Sequence, residues 1–155
     1  MKKKGRDMEV RHTSRLASFV LLERDGKIVM SLRARTGYAD GMYQMPSGHV
    51  EAGEYPVDAA VREVKEEVGI DLVPDDLELI HVSFRMGDPN DGGDYVDFFF
   101  KATRWSGEPA NTEPEKCDGI TWAALDALPE NTVPVVARVV GFIRRGIPFS
   151  QIGKP

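Results

Sequence analysis

The feature that most constrains the fold is an amphipathic stretch over residues 56–68, which follows a loop containing Gly48 and Gly53. On a helical wheel with 100° per residue, the apolar positions of this stretch gather in one stripe. The stripe consists of Val57, Ala60, Val61, Val64 and Val68. This spacing predicts a helix that packs one face on a core and turns a different, acidic face away from it.

The acidic face carries Glu63, Glu66 and Glu67. Glu63 and Glu67 are one helical turn apart and repel each other. One interpretation is a solvated acidic surface. The other is a cation site, because carboxylate oxygens together with waters are the ligands that Mg²⁺ takes. The preceding loop adds Glu51 and Glu54, and its glycines permit tight backbone geometry near a ligand.

The rest of the chain predicts five strands and one more helix, without a regular alternation of strand and helix. The predicted strands are 16–22, 28–32, 77–86, 95–103 and 119–123, and the predicted helix is 133–145. Residues 33–47 are interpreted as a connection. The sequence therefore predicts an α+β fold, in which a mixed sheet is covered by helices.

Length and composition are those of one globular domain. The chain has 155 residues, of which 41% are hydrophobic and 29% charged. We expect a basic N-terminal tail over residues 1–14, one domain over 15–147 and a C-terminal tail over 148–155. Apolar runs are far shorter than the roughly 20 residues that a membrane span needs. The single Cys117 has no partner for an internal disulfide, which favours a reducing, cytoplasmic location.

The charge is distributed unevenly along the chain. The net charge is −5, but residues 1–15 carry six basic and two acidic side chains, so the remainder carries −9. A net-acidic body argues against binding a nucleic-acid polymer through its phosphates. The negative charge is compatible with a small nucleotide substrate, because a bound divalent metal supplies positive charge locally.

The run over residues 48–70 resembles the Nudix box, G-x5-E-x7-R-E-U-x-E-E-x-G-U, where U is a bulky aliphatic residue. All nine specified positions are satisfied, by Gly48, Glu54, Arg62, Glu63, Val64, Glu66, Glu67, Gly69 and Ile70. The resemblance extends over about residues 15–145. It implies a Nudix-type α/β/α sandwich with a mixed β-sheet.

The resemblance also implies an activity. Nudix hydrolases cleave a phosphoanhydride bond in a nucleoside diphosphate linked to another group X, using Mg²⁺ or, in its place, Mn²⁺. We predict a nucleoside triphosphate substrate, normal or oxidised, that is cut to the monophosphate and pyrophosphate. The alternatives are a nucleotide sugar, ADP-ribose or a dinucleoside polyphosphate as substrate, or a Nudix module that senses nucleotides without cutting them. The expected partner is a small-molecule nucleotide, with no membrane, and a homodimer is left open.

Metal ligands follow from the positions that match the box. The resemblance implies that Glu63 and Glu67 bind the metal first, and that Glu66 is a further ligand or orients a metal-bound water. Glu63 and Glu66 are therefore the catalytic residues that we predict within the helix. The backbone carbonyl of Ser47, where many family members have glycine, is a further metal ligand.

Four other box residues are predicted to support the site. Arg62 is expected to pair with Glu54 through two hydrogen bonds that fix the loop to the helix. Gly69 is expected to end the helix in a left-handed conformation. Gly48 opens the box and completes this supporting set.

A second stretch, residues 105–117, resembles the corresponding loop of MutT-like members of the family. In that group a loop glutamate reaches the metal or the attacking water, and Glu115 is the best match, with Glu113 as the alternative. Arg33, Arg35 and Lys116 are predicted to bind substrate phosphates.

Overall fold

The structure is a computed structural model that describes residues 11–87 and 92–153. Over these residues the chain forms eight strands in one sheet and two α-helices. The strands are β1 Arg15–Arg24, β2 Lys27–Arg33, β3 Tyr43–Gln44, β4 Ser47–His49, β5 Glu78–Arg85, β6 Tyr95–Ala102, β7 Cys117–Ala124 and β8 Phe149–Ile152. The helices are α1 Pro56–Val68 and α2 Pro134–Arg144.

The sheet has the order β3-β2-β1-β6-β5-β8, with β4 added to β1 and β7 added to β2. β1 pairs in parallel with β6, and β5 pairs in parallel with β8, whereas the other pairs are antiparallel. The β1–β2 hairpin turns at Asp25 and Gly26, which both have positive φ, as a tight two-residue turn requires. The predicted mixed sheet is confirmed.

The two helices cover opposite faces of the sheet, because strand residues alternate between the faces. Phe19 and Leu21 of β1 belong to the core under α2, whereas Val20 and Leu22 belong to the core under α1. The aromatic rings of Phe19 and Phe99 stack within the first core, with centroids 4.6 Å apart. The predicted α/β/α sandwich is confirmed.

Helix α1 has the bounds that the sequence predicts, residues 56–68. Ala60, Val64 and Val68 are fully buried, while Val57 and Val61 are partly buried against the same core. The helix ends at Gly69, whose φ of +74° is the left-handed conformation expected there. This orientation of the apolar stripe directs the acidic face of the helix away from the core.

Three short strands lie where the sequence predicts none. β3 and β4 lie in and directly after the segment interpreted as a connection, and β8 lies inside the predicted C-terminal tail. Each has two to four residues, too few for the alternation of apolar and polar residues that identifies a strand. Since β8 pairs with β5, the sheet continues beyond the predicted boundary at 147.

Most of the predicted tail 1–14 lies outside the described residues, as do residues 88–91 of the loop between β5 and β6. Neither helix in the described ranges is long and apolar enough to cross a membrane.

Candidate active site

A cavity of about 360 Å³ opens between α1, β4 and the loop that precedes β7. We call it the box cavity. It is lined by Ser31, Arg33, Thr36, Gln44, Met45, Ser47, Gly48, His49, Glu51, Glu63, Glu67, Glu113, Lys116 and Cys117.

Glu67 faces this cavity from α1 and is partly buried. Its Oε2 accepts a hydrogen bond of 3.1 Å from the backbone N–H of Ser47. Burial raises the pKa of Glu67 to about 8, and the nearby charge of Glu63 adds to the shift. Among the residues that the structure describes, no lysine or arginine forms an ion pair with Glu67. Its negative charge is therefore poorly compensated by the protein, which is the condition that favours cation binding.

Glu63 lies one turn earlier on α1 and packs against the backbone of Gly48. A Cβ atom at position 48 would collide with the Glu63 carboxylate, so a larger residue there would displace that carboxylate. Arg62 Nη1 donates a hydrogen bond of 2.6 Å to Glu63 Oε1. Burial raises the pKa of Glu63, although Arg62 opposes the shift.

Arg62 ties the loop before α1 to the helix. Its Nε and Nη2 donate to the two carboxylate oxygens of Glu54 at 2.8 and 3.0 Å. Nη2 also donates to the backbone carbonyl of His49 at 3.0 Å. The hydrogen bonds from Arg62, with one from the backbone N–H of Glu51, hold the pKa of Glu54 below its usual value. The structure thus brings Arg62 and Glu54 together in the predicted geometry.

Ser47 presents its backbone, rather than its side chain, to α1. In the antiparallel ladder of β1 and β4, Ser47 lies opposite Phe19. The neighbouring residues Val20 and Pro46 are hydrogen-bonded, from the Val20 N–H to the Pro46 carbonyl at 2.8 Å. Because hydrogen-bonded positions alternate along an antiparallel pair, the N–H and C=O groups of Ser47 point away from β1. The N–H reaches Glu67, and the carbonyl is available on the same side of the strand.

The loop before β7 contributes Glu113 and Lys116 from the wall opposite α1. The side chain of Glu113 is 19% exposed, and Lys116 Nζ donates to it at 3.1 Å. This contact raises the pKa of Lys116. The loop is fixed to the end of α1, because Thr112 donates to the backbone carbonyls of Glu66 and Glu67 at 2.6 and 3.2 Å.

Glu115, the preferred loop glutamate in the sequence analysis, does not line the box cavity, and its side chain is exposed. The reason is a tight turn over 113–116, closed by a hydrogen bond from the Lys116 N–H to the Glu113 carbonyl at 2.9 Å. The turn brings the side chains of Glu113 and Lys116 together and leaves Glu115 on its outer side. Of the two glutamates that the sequence left open, Glu113 lines the box cavity and Glu115 does not.

Two further predicted residues also lie outside the box cavity. Arg35 is exposed and bonds to Asp118 at 2.7 Å and to the carbonyls of Pro114 and Glu115. Its contacts support the loop before β7. Glu66 has a side chain that is 49% exposed and lies 3.5 Å from Arg62. Arg33, in contrast, lines the box cavity.

Gln44 and Ser31 also line the box cavity, and the sequence analysis assigned no role to either. They lie opposite each other in the β2–β3 pair. Gln44 Oε1 and Ser31 Oγ are buried, and within the described ranges neither has a hydrogen-bond partner. In a sequence, a polar residue at an inward-facing position of a strand can indicate a site residue. Because β3 has only two residues, the sequence does not show which of its positions face inward.

The donor set of the box cavity suits a divalent metal. Glu63 and Glu67 supply carboxylate oxygens, and Ser47 supplies a carbonyl, which are the ligands of hard cations. In residues 11–87 and 92–153, no three His, Cys, Asp or Glu side chains surround one metal position. The reason lies in the contacts that the carboxylates make, since Glu63 turns toward Arg62 and Glu113 toward Lys116. The chemistry of these residues and their place around the cavity therefore suit a divalent metal. Glu67 is the residue that supports this most.

A loop and helix that present partly buried carboxylates to a cavity beside a mixed sheet suit a hydrolase that acts on phosphate compounds with metal ions. The model of the NUDIX domain family matches residues 12–141, and the chain belongs to this family. It is a Nudix hydrolase of the MutT-like kind. Members of the family generally use divalent metal cations.

Two curated relatives and one solved structure illustrate the similarity. The 8-oxo-dGTP diphosphatase of Escherichia coli (strain K12) is 28% identical over 127 residues, which cover 80% of this chain and 94% of that protein. The oxidized purine nucleoside triphosphate hydrolase of Danio rerio is 30% identical over 118 residues, 76% of this chain and 70% of that protein. The crystal structure of the MutT NUDIX hydrolase from Burkholderia pseudomallei has a TM-score of 0.73 at 29% identity, covering 83% of this chain and 96% of that one.

Proposed function

We propose that this enzyme hydrolyses a nucleoside triphosphate, normal or oxidised, to the monophosphate and pyrophosphate with Mg²⁺. Mn²⁺ is proposed to substitute for Mg²⁺. The observation that carries the proposal is the placement of Glu67, partly buried beside Glu63 in the box cavity without an ion-pair partner among the described residues. Relatives named as hydrolases of oxidised purine triphosphates support the choice of substrate class.

The residues proposed to hold the metal are Glu63, Glu67 and the carbonyl of Ser47. When bound, the metal polarises the phosphates and lowers the pKa of a coordinated water. Glu66 is proposed as an outer residue, which orients water from beside Arg62. Arg62 and Glu54 keep the loop on α1 and so hold Gly48 against Glu63.

Glu113 is proposed as the general base. Its carboxylate faces α1 from the opposite wall of the box cavity, so a water between the two walls lies within its reach. It accepts the proton of that water as the water attacks a phosphorus in line, while the phosphoanhydride bond opposite the water breaks and its electron pair leaves with the bridging oxygen. Lys116, now paired with Glu113, and Arg33 are proposed to bind phosphate oxygens and to reduce the repulsion between the substrate and the acidic site.

The experiment that tests this function is a hydrolysis screen of the purified protein with Mg²⁺, with products identified by chromatography. The substrates are normal and oxidised triphosphates, nucleotide sugars, ADP-ribose and dinucleoside polyphosphates. We expect monophosphate and pyrophosphate from a triphosphate, and none without metal. Faster cleavage of a nucleotide sugar, ADP-ribose or a dinucleotide would establish the alternative enzyme. Binding of nucleotide with no products from any substrate would establish a sensing module.

The proposed partner is a small-molecule nucleotide, and a cytoplasmic location, a homodimer and the absence of polymer and membrane partners stay predictions.

A further inference from the structure

The loop between β6 and β7 is hydrogen-bonded to the C-terminal end of α1. The last carbonyl groups of a helix have no partner inside the helix, and here the loop supplies donors to them. The Ala110 N–H donates to the Val68 carbonyl at 3.1 Å, and the Thr112 N–H donates to the Glu67 carbonyl at 3.2 Å. The Thr112 hydroxyl donates to the Glu66 carbonyl at 2.6 Å, which is the shortest of these three bonds. Thr112 therefore joins the loop to the end of α1 through both its backbone and its side chain.

The methyl group of Thr112 lies against the residue that ends the helix. A Cβ atom at Gly69 would lie 3.0 Å from Thr112 Cγ2, so the loop and the helix end approach each other closely. Thr112 is exposed, and water competes for the donors and acceptors of an exposed hydrogen bond. The hydroxyl bond of Thr112 therefore adds little to the free energy of unfolding, and its effect is on the placement of the loop.

The turn over 113–116, which follows Thr112 directly, is braced on two sides. Asn111 Oδ1 accepts a hydrogen bond of 3.2 Å from the Glu113 N–H, and its Nδ2 donates to the Cys117 carbonyl at 2.8 Å. On the outer side, Arg35 donates to two carbonyls of the turn at 2.7 and 3.1 Å. The turn is thus internally rigid, and its distance from α1 depends on the bonds that Thr112 makes.

We propose that Thr112 is a positioning residue, whose hydroxyl holds Glu113 at the distance from α1 at which Glu113 reaches the attacking water. The inference rests on the proposed function, because it takes Glu113 as the general base. Thr112 does not line the box cavity, so it acts through its neighbour and not on the substrate. Displacement of a catalytic group by about 1 Å lowers the rate by up to about 10²-fold. The backbone bonds of the loop remain when the hydroxyl is lost, so the expected loss is smaller, about tenfold.

The first test needs no turnover. Thr112→Val keeps the branched shape that packs on Gly69 and removes only the hydroxyl, whereas Thr112→Ser keeps the hydroxyl. Hydrogen exchange of the metal-free protein, read by mass spectrometry on peptides that cover 108–117, should be about threefold faster in Thr112→Val. Thr112→Ser should exchange at close to the natural rate. Unchanged exchange in Thr112→Val would overturn the inference, because the hydroxyl would then not hold the loop.

The second test is a double-mutant cycle with Glu113→Gln, measured at saturating Mg²⁺ on the best triphosphate of the hydrolysis screen. Thr112→Val alone should lower kcat about tenfold and change KM by less than about twofold, and Thr112→Ser should restore kcat. In the Glu113→Gln background, Thr112→Val should cause no further loss, since the group that it positions is already absent. An unchanged kcat in Thr112→Val, no recovery in Thr112→Ser, or the same loss in both backgrounds would overturn the inference.

Thr132→Val is the matched control, because it removes another threonine hydroxyl that bonds to a backbone carbonyl. Thr132 is buried, donates to the Pro129 carbonyl at 2.7 Å and does not line the box cavity. This variant should melt at a lower temperature than Thr112→Val and yet keep its kcat and its exchange over 108–117. A fall in kcat that follows the loss of melting temperature in both variants would show a merely structural role and overturn the inference.

Failure of the proposed function has a different signature. It appears as the absence of triphosphate products in the screen, or as full kcat in Glu113→Gln, and either result also overturns the positioning role. Failure of the positioning role alone leaves Glu113→Gln impaired, with an unchanged kcat in Thr112→Val or a loss that is the same in both backgrounds.

Discussion

Glu67 is an ionisable carboxyl group in a largely desolvated position at the wall of the box cavity. Water solvates such a carboxylate poorly, and in the described residues no cationic side chain forms an ion pair with it. The protein therefore stabilises the protonated form, which explains the pKa of about 8. A divalent cation reverses this preference, because it binds the ionised form. The position of Glu67 thus favours metal binding, and it does not favour the stability of the metal-free protein.

Glu67→Gln tests this assignment. The amide keeps the size of the side chain and removes the charge, so Mg²⁺-dependent turnover should fall by about 10²-fold or more. The metal-free variant should melt at or above the temperature of the natural protein, because the amide is neutral without having to bind a proton on folding. Glu78→Gln, at an exposed position of β5, is the control and should leave turnover unchanged. Activity of Glu67→Gln close to that of the natural protein would contradict the metal site.

The two loop glutamates give a matched pair of variants. Glu113→Ala should lower kcat by about 10²–10⁴-fold, the usual contribution of a general base, with little change in melting temperature. Glu115→Ala should keep nearly full kcat, because its side chain lies on the outer side of the turn. Steady-state kinetics at saturating Mg²⁺ separates the two. A large loss of kcat in Glu115→Ala alone would show instead that Glu115 is the loop glutamate that assists catalysis, as the sequence predicts.

The Arg62–Glu54 pair makes stability depend on pH. Because Arg62 lowers the pKa of Glu54 in the folded state, the unfolded chain binds the proton more tightly. The stabilisation is therefore complete above the unfolded pKa of Glu54 and is lost as the pH falls through its lower, folded pKa. Urea unfolding between pH of about 6 and about 3 should show a smaller loss of stability in Glu54→Gln than in the natural protein. Identical slopes in both proteins would contradict this role.

Among the elements, those with their own periodicity could be predicted from the sequence, and those that depend on neighbours could not. Helix α1 has an apolar stripe, a proline at its start and a glycine after its end, and its bounds are the predicted ones. β3, β4 and β8 are recognisable only by their pairing with β2, β1 and β5. The same limit applies to the site. Arg62 and Glu54 follow from the box, whereas the choice of Glu113 depends on a turn that local composition does not specify.

The orientation of α1 can be tested by truncating its buried face. Val64 is completely buried, so Val64→Ala should lower the free energy of unfolding by about 1–3 kcal/mol through lost burial and a cavity. Val57→Ala, at a partly buried position of the same helix, should have a smaller effect. Both should keep the metal ligands in place and retain activity. Equal stability of Val64→Ala and the natural protein, measured in urea, would mean that the helix is rotated.

At the scale of the whole molecule, the question is where the domain ends. The sequence predicts an end at residue 147, whereas the structure places β8 in the sheet after that point. His81 connects β8 to the core. Its ring is buried, with Nδ1 2.7 Å from the Ile147 carbonyl and Nε2 2.8 Å from Ser150 Oγ, and it stacks on Phe142 of α2. The last strand therefore shares hydrogen bonds and packing with both the sheet and the second helix.

A chain that ends at Gly146 should consequently be destabilised. Its His81 loses both hydrogen-bond partners, and the edge of β5 loses its parallel neighbour, so polar groups that were paired become unpaired. We expect the melting temperature to fall by about 5–10 °C relative to the full chain, since about 2–3 kcal/mol is lost in a domain of this size. A chain that ends at Gly153 retains β8 and is the matched control, with a melting temperature close to that of the full chain. Equal melting of the two truncated chains would show that residues 147–153 add nothing to the domain, as the sequence-based boundary implies. A lower melting temperature in the shorter chain alone would show that β8 and its contacts with His81 belong to the stable domain that supports the box cavity.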